Sequence, residues 1–272
     1  MSQQPTTNNQ QLITNNKQPT VEAFVLCYNE EKFIKHTLNH YSQFCNKISI
    51  IDNCSTDNTA KIVEQYMQTP VNNCNYEFIQ YGSNNQIRDD YYLHLKNSVW
   101  KNSKADYVIV CDMDELLYHT NIKEVLLLCH KNNVALPLVQ GYNMYSETFP
   151  DNYDLPITTQ AVRGVRATNF DKQIIFSPKF VDEILFFLGA HGCNPIFIKG
   201  YVPSKSTEAL KLLHYKYIGY DYLLEKHSQY AARLSDYNKK NMFGAEYLKG
   251  EKHIKECFDQ LRKTNLLKNI TI

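Results

Sequence analysis

An α/β fold with a mostly parallel, Rossmann-like central sheet flanked by helices follows from three observations. Strand-like and helix-like stretches alternate from Val21 to Asp112, and polar residues gather at the ends of three of those strands. The chain has 272 residues, of which 43% are apolar, enough to bury a sizeable core. Past about Asn133 the rhythm gives way to an irregular second half with C-terminal helices.

The elements can be justified in order. Residues 1–19, "MSQQPTTNNQQLITNNKQP", are polar and rich in Asn and Gln, so they are expected to form a disordered tail. "VEAFVLCY" reads as the first strand, and Ile34, Leu38 and Tyr41 then share one helical face. "KISIIDN" is a second strand, Ser55 to Asp57 offer an N-cap oxygen to a helix ending near Met67, and "YEFIQY" is a third strand. Ile87, Tyr91, Leu95 and Val99 recur every fourth residue and predict a helix leading into the strand "ADYVIVCD". In the second half, "VALPLV", "KQIIFS", "PIFIKG" and "LKLLHYKYI" are strand candidates. A helix from about Tyr220 to Ser235 puts Leu224, His227, Ala231 and Leu234 on one face. The main domain is therefore expected over 20–235, with 236–272 as a helical extension packed on it and no internal repeat.

Composition narrows the function. With 29 basic and 28 acidic side chains the formal charge is +1, which argues against a nucleic-acid partner and for a small molecule. Eight scattered cysteines without a C-x-x-C pair read as reduced thiols rather than a zinc site. No stretch approaches the roughly 20 apolar residues of a membrane span, and no signal pattern opens the chain. A cytoplasmic location is expected, and the aromatic C-terminal helix leaves room for peripheral membrane contact, although such a stripe is more often core.

The most informative motif is Asp112-x-Asp114, followed by Glu115, at the end of an apolar strand. Clustered carboxylates there repel one another and are costly to desolvate, so a cation must compensate them. Alternate acids at a strand end can reach one hard divalent ion, and such ions bridge to phosphate oxygens. Acids in a solvated loop would look the same. The convergence of two further polar strand ends, Cys27 to Glu30 and Asp52 with Asn53, favours a ligand crevice.

Four blocks in order, "FVLCYNEEKFIKHTLNHY", "IIDNCSTDNT", "QIRDDYYLHLKNSVW" and "DYVIVCDMDELLYH", resemble family 2 glycosyltransferases with the glycosyltransferase-A fold. A looser likeness, to a branch related to family 92, continues to about Leu234. The resemblance implies transfer of a sugar from a nucleotide donor, a UDP-sugar, to an acceptor hydroxyl with inversion and with Mn or Mg. It implies that Cys27, Tyr28, Asn29 and Glu30 line the base and ribose pocket and that Asp52 contacts base or ribose. Asp52-Asn53 stands where many members carry two acids, which leaves the base open. Arg88 would lie near the donor phosphates, Asp112 near the ribose and the metal, and Asp114 would be the main ligand of the ion. Glu115 would support them, or serve as an acid at a helix N-terminus.

His214, in "KLLHYKYI", would complete the ion's coordination, and His191, between Gly189 and Gly192, would touch the acceptor or the transferring sugar. Asp182 and Glu183 are the next candidates for the catalytic base. Each has a plainer reading: Asn29 as a helix cap, Arg88 as a solvated surface residue, His214 as a hydrogen-bonded core histidine, and His191 as a turn residue. Lys172, Asp182 and Glu183 also read as solvated charges. The acceptor is a glycan, a lipid-linked sugar or a protein side chain. The competing functions are a nucleotidyltransferase, which usually has a Gly-rich basic loop where this chain has "CYNEEKF", and a non-catalytic binding module, against which the intact acids argue.

Overall fold

The structure, a computed structural model, describes residues 17–271. Most of the tail expected to be disordered therefore lies outside the described residues. The first half alternates as β1 (Val21–Cys27), α1 (Ile34–Tyr41), β2 (Lys47–Asp52), α2 (Thr59–Gln68), β3 (Asn75–Gln80), α3 (Asp89–Ser98) and β4 (Tyr107–Asp112). The second half comprises β5 (Glu115–Tyr118), α4 (Ile122–Lys131), β6 (Val139–Ser146), α5 (Ile157–Gln160), β7 (Arg163–Arg166), β8 (Ile175–Phe176), β9 (Val181–Glu183), β10 (Ile196–Phe197), β11 (Leu210–Ile218), α6 (Tyr220–Arg233), α7 (Asp236–Lys240), α8 (Gly250–Lys263) and β12 (Lys268–Asn269).

The central sheet runs β3-β2-β1-β4-β8, with the first four strands parallel and β8 antiparallel at the edge. All of β1 and all but the last residue of β4 are buried, as inner strands of a covered sheet must be. Alternation divides β1 between two cores, with Val21, Ala23, Val25 and Cys27 in one and Phe24 in the other. The register sets Cys27 beside Asp52 and Leu26 beside Asp112, so the polar strand ends finish together.

A second sheet, ordered β12-β7-β6-β11-β5, begins where the first ends. Only Met113 and Asp114 separate β4 from β5, and β5 pairs antiparallel with β11, placing Glu115 opposite His214. The chain thus changes sheets at its acidic motif. Residues a hundred positions apart meet there.

Several expectations change. Helix α3 starts at Asp89, not Ile87, because Arg88 is extended and Ile87 bridges to Leu234 instead. Tyr91 is 44% exposed, and the helix turns Lys96 inward with Trp100 just beyond it. In "VALPLV" only Val139 enters a strand, since Pro137 lacks the N–H a ladder needs. Glu115 opens a strand, so no helix dipole acts on it. β7 and β12 pair with each other, although neither has the apolar run that would announce a strand. In the C-terminal segment, α8 packs Ile254 and Phe258 against Tyr145 and Leu223.

Candidate active site

A cavity of about 500 Å³ opens beyond the carboxyl ends of β1 and β4. Cys27, Tyr28 and Glu30 line it from the end of β1 and the loop after it, and Asp112, Asp114 and Glu115 from where β4 passes into β5. His191 and His214 reach it from the second half. This is where a parallel sheet presents a ligand site.

The compensation demanded by the acids is visible. Asp112 lies 2.8 Å from Lys96, Glu115 is 2.6 Å from Lys172, and Glu30 is 2.7 Å from Lys226. Asp114 is 3.5 Å from His214 Nε2. Each of these four carboxylates has a cationic or ring-nitrogen partner, which matters most for Glu30 and Glu115, the two that are buried. Burial raises the Glu115 pKa, but Lys172, Lys96 and His214 outweigh it and hold the group well below the ordinary carboxylate range. Burial also raises Asp114, and His214 beside it more than offsets this. Burial depresses Lys96, yet Asp112 and Glu115 keep it firmly protonated. Glu30 differs: burial pushes it up to about 7 even with Lys226 alongside. Lys172, expected on a solvated face, is 3% exposed because it is the counter-ion of Glu115.

Asp114 and His214 offer one carboxylate and one imidazole to the cavity, a donor set that suits Mn or Mg shared with phosphate oxygens. Asp112, the third ligand expected, is engaged by Lys96. Among the described residues no group of three His, Cys, Asp or Glu side chains is assembled around an ion position.

The two histidines share one support. Phe170 stacks on His214 at 4.1 Å between ring centroids and meets His191 edge-on at 5.2 Å. Phe170 reaches them because Gly141 has no side chain: a Cβ there would lie 2.3 Å from the Phe170 carbonyl oxygen. His191 Nδ1 is 2.7 Å from the Asn169 carbonyl oxygen, which fixes the proton on Nδ1 and leaves Nε2 with a free lone pair. His191 is exposed on one side, and its partial desolvation, then the charge of Lys172, lowers its pKa. Gly189, at φ +70°, is needed beside it, since a Cβ would meet the His191 ring at 2.7 Å.

Other expected residues lie elsewhere. Arg88 turns to the surface, where it pairs with Asp90 and lies over Tyr91 and Tyr237. Asp182 is exposed and Glu183 pairs with Lys101, because both sit on the β9–β10 ribbon outside the cavity. Asp52 is fully buried, its carboxylate taken up by the Ser55 N–H and hydroxyl, and it does not reach the cavity. Asn29 braces a loop, accepting from Thr56 N–H at 2.7 Å, and caps no helix. The sequence reasoning overlooked Lys96, Phe170, Lys226 and Arg233, all lining the cavity. Lys96 had a signal, standing four residues after Tyr92 on one face of α3 and four before Trp100, just past the helix end.

The family model for glycosyl transferase family 2 matches residues 23–181, more than half of the chain and all of the parallel sheet but its first two residues. This chain belongs to glycosyl transferase family 2. The poly(ribitol-phosphate) β-N-acetylglucosaminyltransferase TarS of Staphylococcus aureus is 25% identical to this chain over 192 residues, 62% of this chain and 32% of that protein. The SPbeta prophage-derived glycosyltransferase SunS of Bacillus subtilis is 24% identical over 138 residues, 48% of this chain and 30% of that protein. The chain thus spans about a third of the length of these curated relatives. The crystal structure of S. aureus TarS 1–349 superposes with a TM-score of 0.44 and 17% identity, covering 84% of this chain and 70% of that one. No helix among the described residues is long and apolar enough to cross a membrane.

Proposed function

We propose that this family 2 chain transfers a sugar from a nucleotide-sugar donor, a UDP-sugar, to an acceptor hydroxyl with inversion. The observation that carries the reading is the convergence of Asp112, Asp114, His214 and His191 on one cavity beyond the parallel strands. Asp114 and His214 would hold a Mn or Mg ion; bound there, it would neutralise charge on the departing diphosphate. Lys96 fixes the Asp112 carboxylate, and Lys172 fixes Glu115, which accepts the Asp112 N–H at 3.2 Å. The acidic turn is thereby rigid before substrate arrives, which lowers the cost of organising it.

His191 is the base in this reading. Its Nε2 takes the proton of the acceptor hydroxyl while the acceptor oxygen bonds to the anomeric carbon. The bond from that carbon to the diphosphate oxygen breaks, and its electron pair leaves with the nucleoside diphosphate. The acceptor is a glycan, a lipid-linked sugar or a protein side chain.

UDP-GlcNAc is the first donor to test, because the name of the TarS relative states N-acetylglucosaminyl transfer. Release of UDP from a panel of UDP-sugars with manganese should depend on the intact turn. Asp114→Asn and chelation should each abolish it with the fold retained. Full activity in that variant, or indifference to chelator, would contradict the metal assignment. Absence of turnover with every nucleotide sugar would contradict the transferase reading.

A further inference from the structure

Three of the cations that line the cavity are matched, Lys96 by Asp112, Lys172 by Glu115 and Lys226 by Glu30. Lys216 and Arg233 have no ion pair among the described residues; Lys216 lies over the rings of Tyr217 and Tyr247. Arg233 is 7% exposed, and both terminal nitrogens, Nη1 and Nη2, are buried without any hydrogen-bond partner. No acid among the described residues lies within ion-pair distance of it. A buried guanidinium with two idle donors is costly unless a ligand supplies acceptors.

Its position is fixed from three sides. Nε donates to the carbonyl and side-chain oxygens of Asn85 at 3.2 and 3.1 Å. The guanidinium lies on the face of Tyr28, 3.1 Å from the ring centroid. The Arg233 carbonyl accepts the Ile87 N–H at 2.7 Å, and Leu234 bridges to Ile87. Arg233 also follows Lys226 by seven residues on α6, so two helical turns bring both to the same cavity.

Resting on the proposed function, we infer that Arg233 binds the phosphate oxygens of the nucleoside diphosphate, the task the sequence suggested for Arg88. The planar fork of Nη1 and Nη2 suits two oxygens of one phosphate. A neutral base carbonyl would satisfy the donors but leave the charge unmatched, whereas a phosphate does both. As the donor bond breaks, charge accumulates on that diphosphate, and Arg233 is placed to hold it.

Calorimetry with UDP and with uridine, on the wild type and variants, tests this. Arg233→Gln should weaken UDP binding about 10-fold or more, the loss expected for a charge-assisted hydrogen bond, with uridine binding unchanged. Arg233→Lys should fall between, keeping the charge and losing the fork, and it carries the test if Arg233→Gln does not fold. Arg88→Gln, altered on the surface, should bind UDP as the wild type does. Wild-type UDP affinity in folded Arg233 variants, or equal loss of UDP and uridine, overturns the inference while the transferase reading stands. A wild type that binds none of UDP, GDP and CDP overturns both.

Discussion

Lys172 and Glu115 bury almost their entire side chains, at 4% and 2% exposed, with 2.6 Å between nitrogen and oxygen. Removing one partner leaves an uncompensated buried charge. Lys172→Met should cost about 3–5 kcal/mol in urea unfolding, and Lys172→Met with Glu115→Leu should recover most of it, because desolvation falls on both charges. His191 answers to a different measurement. His191→Ala should cut sugar transfer by about 100-fold or more while UDP binding survives, as for loss of a general base. Because the pKa of His191 lies below its ordinary value, the wild-type rate should hold through neutral pH and fall only as acid protonates Nε2. A rate falling on the alkaline side instead would show His191 acting as an acid.

At the scale of elements, the site depends on one short 3₁₀ turn, Thr168–Phe170, pressed against β6. Gly141 N–H donates to Asp171 at 2.8 Å and Arg166 pairs with the same carboxylate, so the turn is tied to both β6 and β7. Gly141→Ala would drive a methyl into the Phe170 backbone and displace the ring that supports both histidines. It should destabilise by about 1–3 kcal/mol, as overpacking does. Transfer should fall further than a melting curve alone would explain. Equal transfer per folded molecule would show that Phe170 does not position the histidines.

For the whole molecule, buried neutral histidines set the response to acid. Burial lowers His40 to about 4, against a hydrogen bond to the Leu117 carbonyl that works the other way, and it lowers His227 to about 4 with help from Lys216. A group whose pKa is lower folded than unfolded binds its proton first in the unfolded chain, so stability is whole above pH 6.5 and drains as pH falls towards 4. Each contributes on the order of 3 kcal/mol. Glu30, raised to about 7, opposes one of them, because its neutral form is favoured in the fold as pH falls from 7 to the ordinary carboxylate value of 4.5. These three groups together should therefore remove on the order of 3 kcal/mol between pH 6.5 and 4. Urea unfolding at several pH values should show it, and His40→Gln should flatten the slope. An unchanged slope in that variant would mean that His40 is not held neutral.

The sequence by itself determined the alternating sheet, the strand ends that form the cavity, the family, and that Asp112 and Asp114 stand beside that cavity. Those features are local: apolar runs of strand length and a motif at a strand's end are written in consecutive residues. It also picked out His191 and His214, each from a short segment with its own character. What only the tertiary structure decided is which charge answers which. Lys96 lies on α3, which begins two residues later than periodicity suggests, and Arg233 ends α6, where the chain meets the distant Asn85 and Ile87. Arg88, just before α3, turned outward, and Asp182 and Glu183 went with a ribbon whose placement no neighbouring residue encodes. Lys172 reads as a surface charge until β4 passes into β5 and brings Glu115 to it from 57 positions away. Pairing of buried charges is set by contacts between distant segments, because the energy that selects a partner exists only once both are out of water.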